Sequence, residues 1–227
     1  IYTTDPRIKR KAAKIKKISF EEMLEMASLG ANVLQTRAVE LAMRSKTPIQ
    51  VLNSFSNEEG TLVCDEEEIM EKNIISGIAF QRNEARITLS NIEDKPGVAA
   101  KIFGPLAESG INVDMIVQSS SETGNNDLTF SCSAEEVEQA KEAIAKAKDL
   151  TYKNIIVNNE VAKVSIVGIG MKTHAGVAQK MFETLSEENI NIHVISTSEI
   201  KVSVLIERKY LELAVRSLHD SFELEKI

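Results

Sequence analysis

Apolar residues from position 85 onward recur with two alternating periods. Ala85–Ile92 alternates apolar and polar positions as a strand does, and Asp94-Lys95-Pro96-Gly97 has the composition of a turn. Val98, Ile102, Phe103 and Leu106 then recur at helical spacing. Asn112–Val117 reads as a strand, and Asn125-Asn126 as a polar turn before a further strand, Leu128–Cys132. Ser133 and Glu136 have capping-box spacing and open a helix carrying Val137, Ala140, Ile144 and Ala147. Asn154–Val157 is a closing strand. The order β-α-β-β-α-β predicts an α+β, ferredoxin-like unit: a four-stranded antiparallel sheet with two helices on one face.

The same pattern is then repeated. Lys72-Asn73-Ile74-Ile75 returns as Lys153-Asn154-Ile155-Ile156, and Ala85–Leu89 as Ala162–Ile166. Gly97-Val98 returns as Gly176-Val177, and Ile111–Ile116 as Ile190–Ile195. A repeat of roughly 80 residues is too long for a stacking solenoid unit, so each copy is expected to be a small domain. The second copy reads as strand Ala162–Val167, helix Gly176–Glu187, strands Asn191–Ser196 and Val202–Ile206, and helix Tyr210–Phe222. It contains no fourth strand of its own. The stretch that resembles one is Lys72–Ala79, ahead of the first copy. An open sheet edge is an association hazard, so residues 72–80 are expected to cross over and complete the second unit. The first unit would then be inserted within the second.

Residues 1–60 follow neither copy. Ser19-Phe20-Glu21-Glu22 has capping-box spacing before a helix with Met23, Leu24, Ala27 and Leu29 on its apolar side, ended by Gly30. Val33, Leu34, Val39 and Ala42 form a second amphipathic pattern, closed by Pro48. Ile49–Phe55 reads as a buried strand, Asn57-Glu58-Glu59-Gly60 as a turn, and Asp65–Glu68 as a charged linker. The expected domains are 1–60, a linker with a completing strand over 61–84, a first unit over 85–158, and a second over 159–227.

Composition narrows the function. Net charge is −7, from 34 acidic and 27 basic residues, which argues against a nucleic-acid footprint; the basic cluster Lys9–Lys17 reads as a solvated edge. Cys64 and Cys132 are too few for a disulfide framework and point to the reducing cytosol. No apolar run is long enough to span a membrane. His174, His193 and His219 lack metal-ligand spacing, and Gly168-Ile169-Gly170 is too short for a dinucleotide fingerprint, so neither metal nor cofactor is expected within this stretch. The opening Ile1-Tyr2 reads like the middle of a motif, as expected of a fragment.

The unusual residues cluster at two matching turns. Asp94 to Ala99 joins a strand to a helix N-terminus, where free N–H groups and the helix dipole favour a carboxylate. Asn112-Val113-Asp114 supplies an amide and a carboxylate suited to an ammonium group. Together they suit a free amino acid. The alternative is that Pro96-Gly97 is only a tight turn and Asn112 only a polar strand leader.

Asp94-Lys95-Pro96-Gly97 with Ile111-Asn112-Val113-Asp114 resembles the ligand-binding motif of ACT domains. Tyr2-Thr3-Thr4-Asp5-Pro6-Arg7, Ser19–Met23, Val33-Leu34-Gln35-Thr36-Arg37 and Ile195–Ile200 together resemble the aspartate kinase family. The resemblance covers nearly the whole chain. It implies the C-terminal end of a kinase domain followed by tandem, intertwined ACT units. The parent enzyme would use ATP and Mg to phosphorylate the aspartate side chain, under feedback control by lysine, threonine or both. By the same resemblance Tyr2 and Arg7 are nucleotide contacts, and Asn32 replaces a lysine usual in the family. The effector would be lined by Asp94, Lys95, Pro96, Gly97, Val98, Ala99, Asn112, Val113, Asp114 and Gln118 on the first-unit side. On the second-unit side the residues are Val177, Ala178, Asn191, Ile192, Ser198 and Glu199. His193 stands where the first unit has Asp114, so the two pockets are not equivalent. The implied partners are a free amino acid, the catalytic domain, and a second copy joined as a homodimer through the ACT units. The fragment itself is expected to be inactive. Two other readings are an ACT pair from a different amino-acid enzyme, which residues 1–55 do not support, and a ferredoxin-like nucleic-acid module. The latter should carry aromatic platforms, but Phe130 is the one aromatic on the central strands.

Overall fold

The computed structural model describes residues 1–56, 58–69, 73–120, 125–147 and 150–227. The first elements are β1 (Lys17–Ser19), α1 (Phe20–Ser28), α2 (Thr36–Ser45), β2 (Ile49–Val51) and β3 (Thr61–Cys64). Next come β4 (Gly77–Glu93), α3 (Val98–Glu108), β5 (Asp114–Ser120), β6 (Asn125–Ser133), α4 (Val137–Ala145) and β7 (Asn154–Val167). The last are α5 (Val177–Glu187), β8 (Ile192–Thr197), β9 (Lys201–Glu207) and α6 (Leu211–Ser221). The chain divides into two compact units, residues 82–162 and residues 1–81 with 163–227.

In the unit of residues 82–162 the strand order is β5-β6-β4-β7. Antiparallel pairing sets Ala85 opposite Cys132, Ile87 opposite Phe130 and Leu89 opposite Leu128. These side chains are buried with Ile102 and Leu106 of α3 and Val137, Ala140 and Ile144 of α4. Phe103 meets Phe130 edge-on, with ring centroids 5.6 Å apart. The register shifts by a bulge between Leu89 and Ile92, where Asn91 takes a left-handed φ of 58°. Its N–H donates to Asp127 Oδ1 (2.9 Å) and its side chain accepts from Asn125 Nδ2 (3.0 Å). Pairing therefore continues past the bulge, and Asn125 and Asn126 belong to β6 rather than to the expected turn. Asn112 and Val113 precede β5, because α3 ends in a Schellman motif. Gly110 (φ 74°) donates to Ala107, and Ile111 to Leu106. The Ser133–Glu136 capping box does not form. Ser133 Oγ accepts from Glu135 N instead, capping a 3-10 turn, and α4 starts after it and ends before Ala147.

In the other unit the order is β4-β7-β9-β8, built from the first residues of β4 and the last of β7. Ser76 N–H donates to Val167 O (2.8 Å), so the stretch ahead of the first copy closes the sheet of the second, as expected. Lys72 lies outside the described residues. Met181 and Leu185 of α5 and Leu211, Val215 and Leu218 of α6 are buried with Val164, Ile166, Val204 and Ile206. The expected strands Asn154–Val157 and Ala162–Val167 are one continuous strand, β7.

Residues 1–64 in this unit add a three-stranded sheet, β1-β3-β2, with β1 parallel and β2 antiparallel to β3. Thr61–Cys64, expected to open a linker, is its central strand. The buried strand expected over Ile49–Phe55 is only Ile49–Val51; an Asn53 side chain accepting from Phe55 N turns the chain, and Phe55 is 98% exposed. The Ser19 capping box forms as expected, with Ser19 Oγ accepting from Glu22 N and Glu22 Oε2 accepting from Ser19 N. The buried Glu22 carboxylate does more. It also accepts from Ser76 Oγ (2.6 Å) and Ile169 N (2.9 Å), tying α1 to both segments that lead into the second copy. Gly30 follows α1 at φ 103°, and a Cβ there would lie 2.3 Å from Phe80 O. Val33 and Leu34 precede α2, which ends at Lys46 in the left-handed region.

Residues 73–75 pass so close to Gly168 that a Cβ there would meet Ile74 O at 2.2 Å and Ile75 Cα at 2.6 Å. Gly168→Ala is expected to lower the unfolding free energy by about 2 kcal/mol or more, because backbone must move to admit a methyl group. Gly104→Ala, within α3 and with nothing within 4 Å, should raise it by up to about 1 kcal/mol. Urea unfolding of the two variants checks both signs.

Candidate functional site

In the unit of residues 82–162, Gly97 (φ 92°) turns the chain into α3 and brings no side chain to cap it. The first-turn N–H groups of α3 and its dipole face the space in front. That space is a cavity of about 100 Å³ lined by Ile92, Glu93, Asp94, Lys95, Gly97, Val98, Ala99, Gln118, Asn126 and Leu128. Asp94, Lys95, Gly97, Val98, Ala99 and Gln118 thus come together as the sequence indicates. Pro96, Asn112, Val113 and Asp114 are not among the lining residues. Asp114 Oδ1 accepts from the N–H of its neighbour Met115. Lys95 pairs with Glu93 at 2.8 Å, which holds the Glu93 carboxyl below its ordinary value. Sequence reasoning missed four lining residues: Ile92, Glu93, Leu128 and, the one that is both polar and buried, Asn126. Its signal was its place two residues before Leu128 in the apolar row of β6, hidden by the turn-like pair Asn125-Asn126.

The second copy repeats the turn but not the pocket. Gly176 enters α5 at φ 90°, and the cavity beside it, about 560 Å³, is lined by Asn73, Ile74, Ile75, His174, Ala175, Gly176, Val177, Lys180, Phe222, Glu223 and Ile227. Of the residues expected there, Val177 lines it and Ala178, Asn191, Ile192, Ser198 and Glu199 do not. Ser198 N–H donates to Lys201 O, closing the β8–β9 hairpin. Glu199 faces Lys172 at 3.9 Å. Lys180 Nζ lies 5.1 Å from the centroid of the Phe222 ring.

A third cavity, about 210 Å³, gathers Tyr2, Arg7 and Asn32 with Gly30, Ala31, Ile78 and Phe80. Arg7 Nε and Nη2 grip Asp5 at 2.8–3.1 Å, a hydrogen-bonded pairing that raises the Arg7 pKa. Asn32 is exposed at the rim. Neither cysteine is poised as a nucleophile. Burial pushes Cys64 up and Cys132 up to about 11. Among the described residues no group of three His, Cys, Asp or Glu could hold a metal, and no helix is long and apolar enough to cross a membrane.

Comparison with known proteins agrees with this architecture. ACT domain families match residues 87–150 and 164–222, and the amino acid kinase family matches residues 1–53. An aspartate kinase of Pseudomonas fluorescens is 55% identical over 99% of this chain and 55% of its own length. A structure of aspartokinase alpha and beta subunits is 47% identical with a TM-score of 0.62, covering 66% of this chain and 99% of that one. E. coli aspartokinase III has been solved with aspartate and ADP (R-state; 30% identity, TM-score 0.80, 97% of this chain and 49% of that one). It has also been solved with lysine and aspartate (T-state; 28%, 0.77, 98% and 49%). Fold and site define a tandem pair of ACT domains preceded by a segment of amino acid kinase. The chain belongs to the aspartate kinase family, and spans about half the length of the curated relatives it matches.

His219 on α6 is fully buried and shares a hydrogen bond with Thr3 Oγ1 at 2.9 Å. Burial, then the charge of Lys9, lower its pKa from 6.5, against opposing pulls from Asp220 and Glu225. The unfolded chain therefore binds this proton more readily, and stability falls as pH drops below about 6.5, by at most about 1.4 kcal/mol per pH unit from this group. His219→Gln should flatten that slope in urea titrations between about pH 7.5 and 5.5; an unchanged slope assigns it elsewhere.

Proposed function

We propose that this chain is the feedback-sensing portion of an aspartate kinase that phosphorylates L-aspartate from ATP with Mg, and that lysine, threonine or both are the inhibitors sensed. The observation that carries this is the small polar cavity at the uncapped N-terminus of α3, where helix N–H groups suit an α-carboxylate. The lysine held by E. coli aspartokinase III supports an amino acid as ligand. The gathering of Tyr2, Arg7 and Asn32 in one cavity supports a nucleotide-side role for residues 1–53. Phosphoryl transfer belongs, on this reading, to the whole protein in the cytoplasm; this stretch alone turns over no ATP with aspartate. A homodimer through the ACT units completes the reading. Its support is the edge strand β5, which exposes Ile116 and Val117.

Thermal-shift titration with lysine, threonine and the mixture tests it. A ligand that binds only the folded state adds about 2.7 kcal/mol at a hundredfold excess over Kd. Asp94→Ala and Gln118→Ala, both exposed, should change stability by no more than about 0.5 kcal/mol. Each should weaken the amino acid roughly ten- to a hundredfold, the worth of a charge-assisted contact of about 1.5–3 kcal/mol. Asn191→Ala is the control in the second copy. Stabilisation by neither amino acid would contradict the reading, and loss in Asn191→Ala alone would move the site to the second copy.

A further inference from the structure

Asn126 occupies a place where the fold asks for an apolar side chain. It lies on the face of β6 that carries Leu128, Phe130 and Cys132, opposite Ile92 just beyond the bulge in β4. It is 3% exposed, and its Oδ1 is buried without a hydrogen-bond partner among the described residues. A buried, unpaired acceptor is a cost that native cores avoid, and one that lines a pocket is open to a donor from a ligand. The bulge is what delivers it. With Asn91 pinned by Asp127 and Asn125, pairing beyond the bulge sets Asn126 opposite Ile92, and the two side chains line the same cavity.

We propose that Asn126 Oδ1 is the acceptor for the α-ammonium group of the amino acid bound in this cavity, in place of Asn112 and Asp114. The assignment rests on the amino-acid-sensing reading of the same site. With the carboxylate at the α3 N-terminus, the α-ammonium is only two bonds away along the ligand backbone. The cavity, about 100 Å³, is the smallest of the three described above. With the carboxylate held at the helix N-terminus, an acceptor buried in so small a cavity is placed for the head of the ligand. Asp94 and Gln118 are exposed and stand at its mouth. Asn112 and Asp114, expected from the sequence to receive the ammonium, do not line it. A neutral amide does so without adding a third carboxylate to Glu93 and Asp94.

Asn126→Leu keeps the branched shape and removes both polar atoms. It should melt no lower than the wild-type chain without ligand, yet bind at least tenfold more weakly by calorimetry. The loss should be similar for every amino acid that the wild type binds, since the ammonium is common to all. The deamino analogue of the tighter ligand should bind wild type and Asn126→Leu alike. Asn126→Ala carries the same comparison should the leucine variant not fold. Undiminished binding by the variant overturns the proposal, as does a loss confined to threonine, which would assign Oδ1 to a side-chain hydroxyl. A wild-type chain that binds neither lysine nor threonine removes the underlying reading and this proposal together. One that binds while the variant binds equally well removes only the proposal.

Discussion

A β-sheet edge has to be paired, covered or guarded, and that constraint shapes the larger unit. Among the described residues no strand follows α6. Residues 76–81 supply the closing strand of the second copy from ahead of the first copy, beginning with the bond from Ser76 to Val167. The consequence is that β4 and β7 each serve both copies, and the first copy is an insertion within the second. Gly168 and Gly170 exist for the same reason. Side chains there would collide with the backbone of residues 73–75 at 2.2–2.6 Å.

The same junction ties in the kinase segment. Glu22 uses one carboxylate oxygen to cap its own helix and the other to hold Ser76 and Ile169. A buried carboxylate with a full set of donors is costly to disturb, because any lost partner leaves part of the charge unsatisfied. Lys201 with Glu25, and Lys9 with Asp220, add ion pairs between residues 1–28 and the second copy. These exposed or half-exposed pairs contribute little stability individually. The buried network around Glu22, together with the shared apolar cluster of Met23, Met26, Ala79 and Val167, carries the attachment.

The parts legible in the sequence were those with a repeated or mechanistic signature. The duplication, the Ser19 capping box and the strand borrowed from ahead of the first copy all follow from patterns whose physics is local or combinatorial. The turns Gly97 and Gly176 were equally plain. The three-residue strand β1 and the four-residue β3 were not, and of β2 only the start at Ile49 was, because so short a run carries no period, and tertiary pairing decides its extent. Ser133 misled because a hydroxyl can cap a 3-10 turn two residues on as readily as a helix three residues on. Asn126 was read as a turn residue because asparagine pairs usually are. Only the bulge at Asn91, a long-range pairing, reveals it as a core-facing position. The two copies also diverged where the sequence matched well. Similar glycine turns lead to a small polar cavity in one and a larger one crossed by Lys180 and Phe222 in the other.

The central claim is that the cavity at the N-terminus of α3 receives a free amino acid. Titrating ¹⁵N-labelled chain with lysine and threonine, while following backbone and side-chain amides by NMR, tests this most directly. The account predicts saturable shifts of the Val98 and Ala99 backbone amides and of the Gln118 and Asn126 side-chain amides, with the amides of Ala178, Asn191 and Ile192 unmoved. Saturable shifts confined to the second copy, with residues 94–99, Gln118 and Asn126 unchanged, would contradict it.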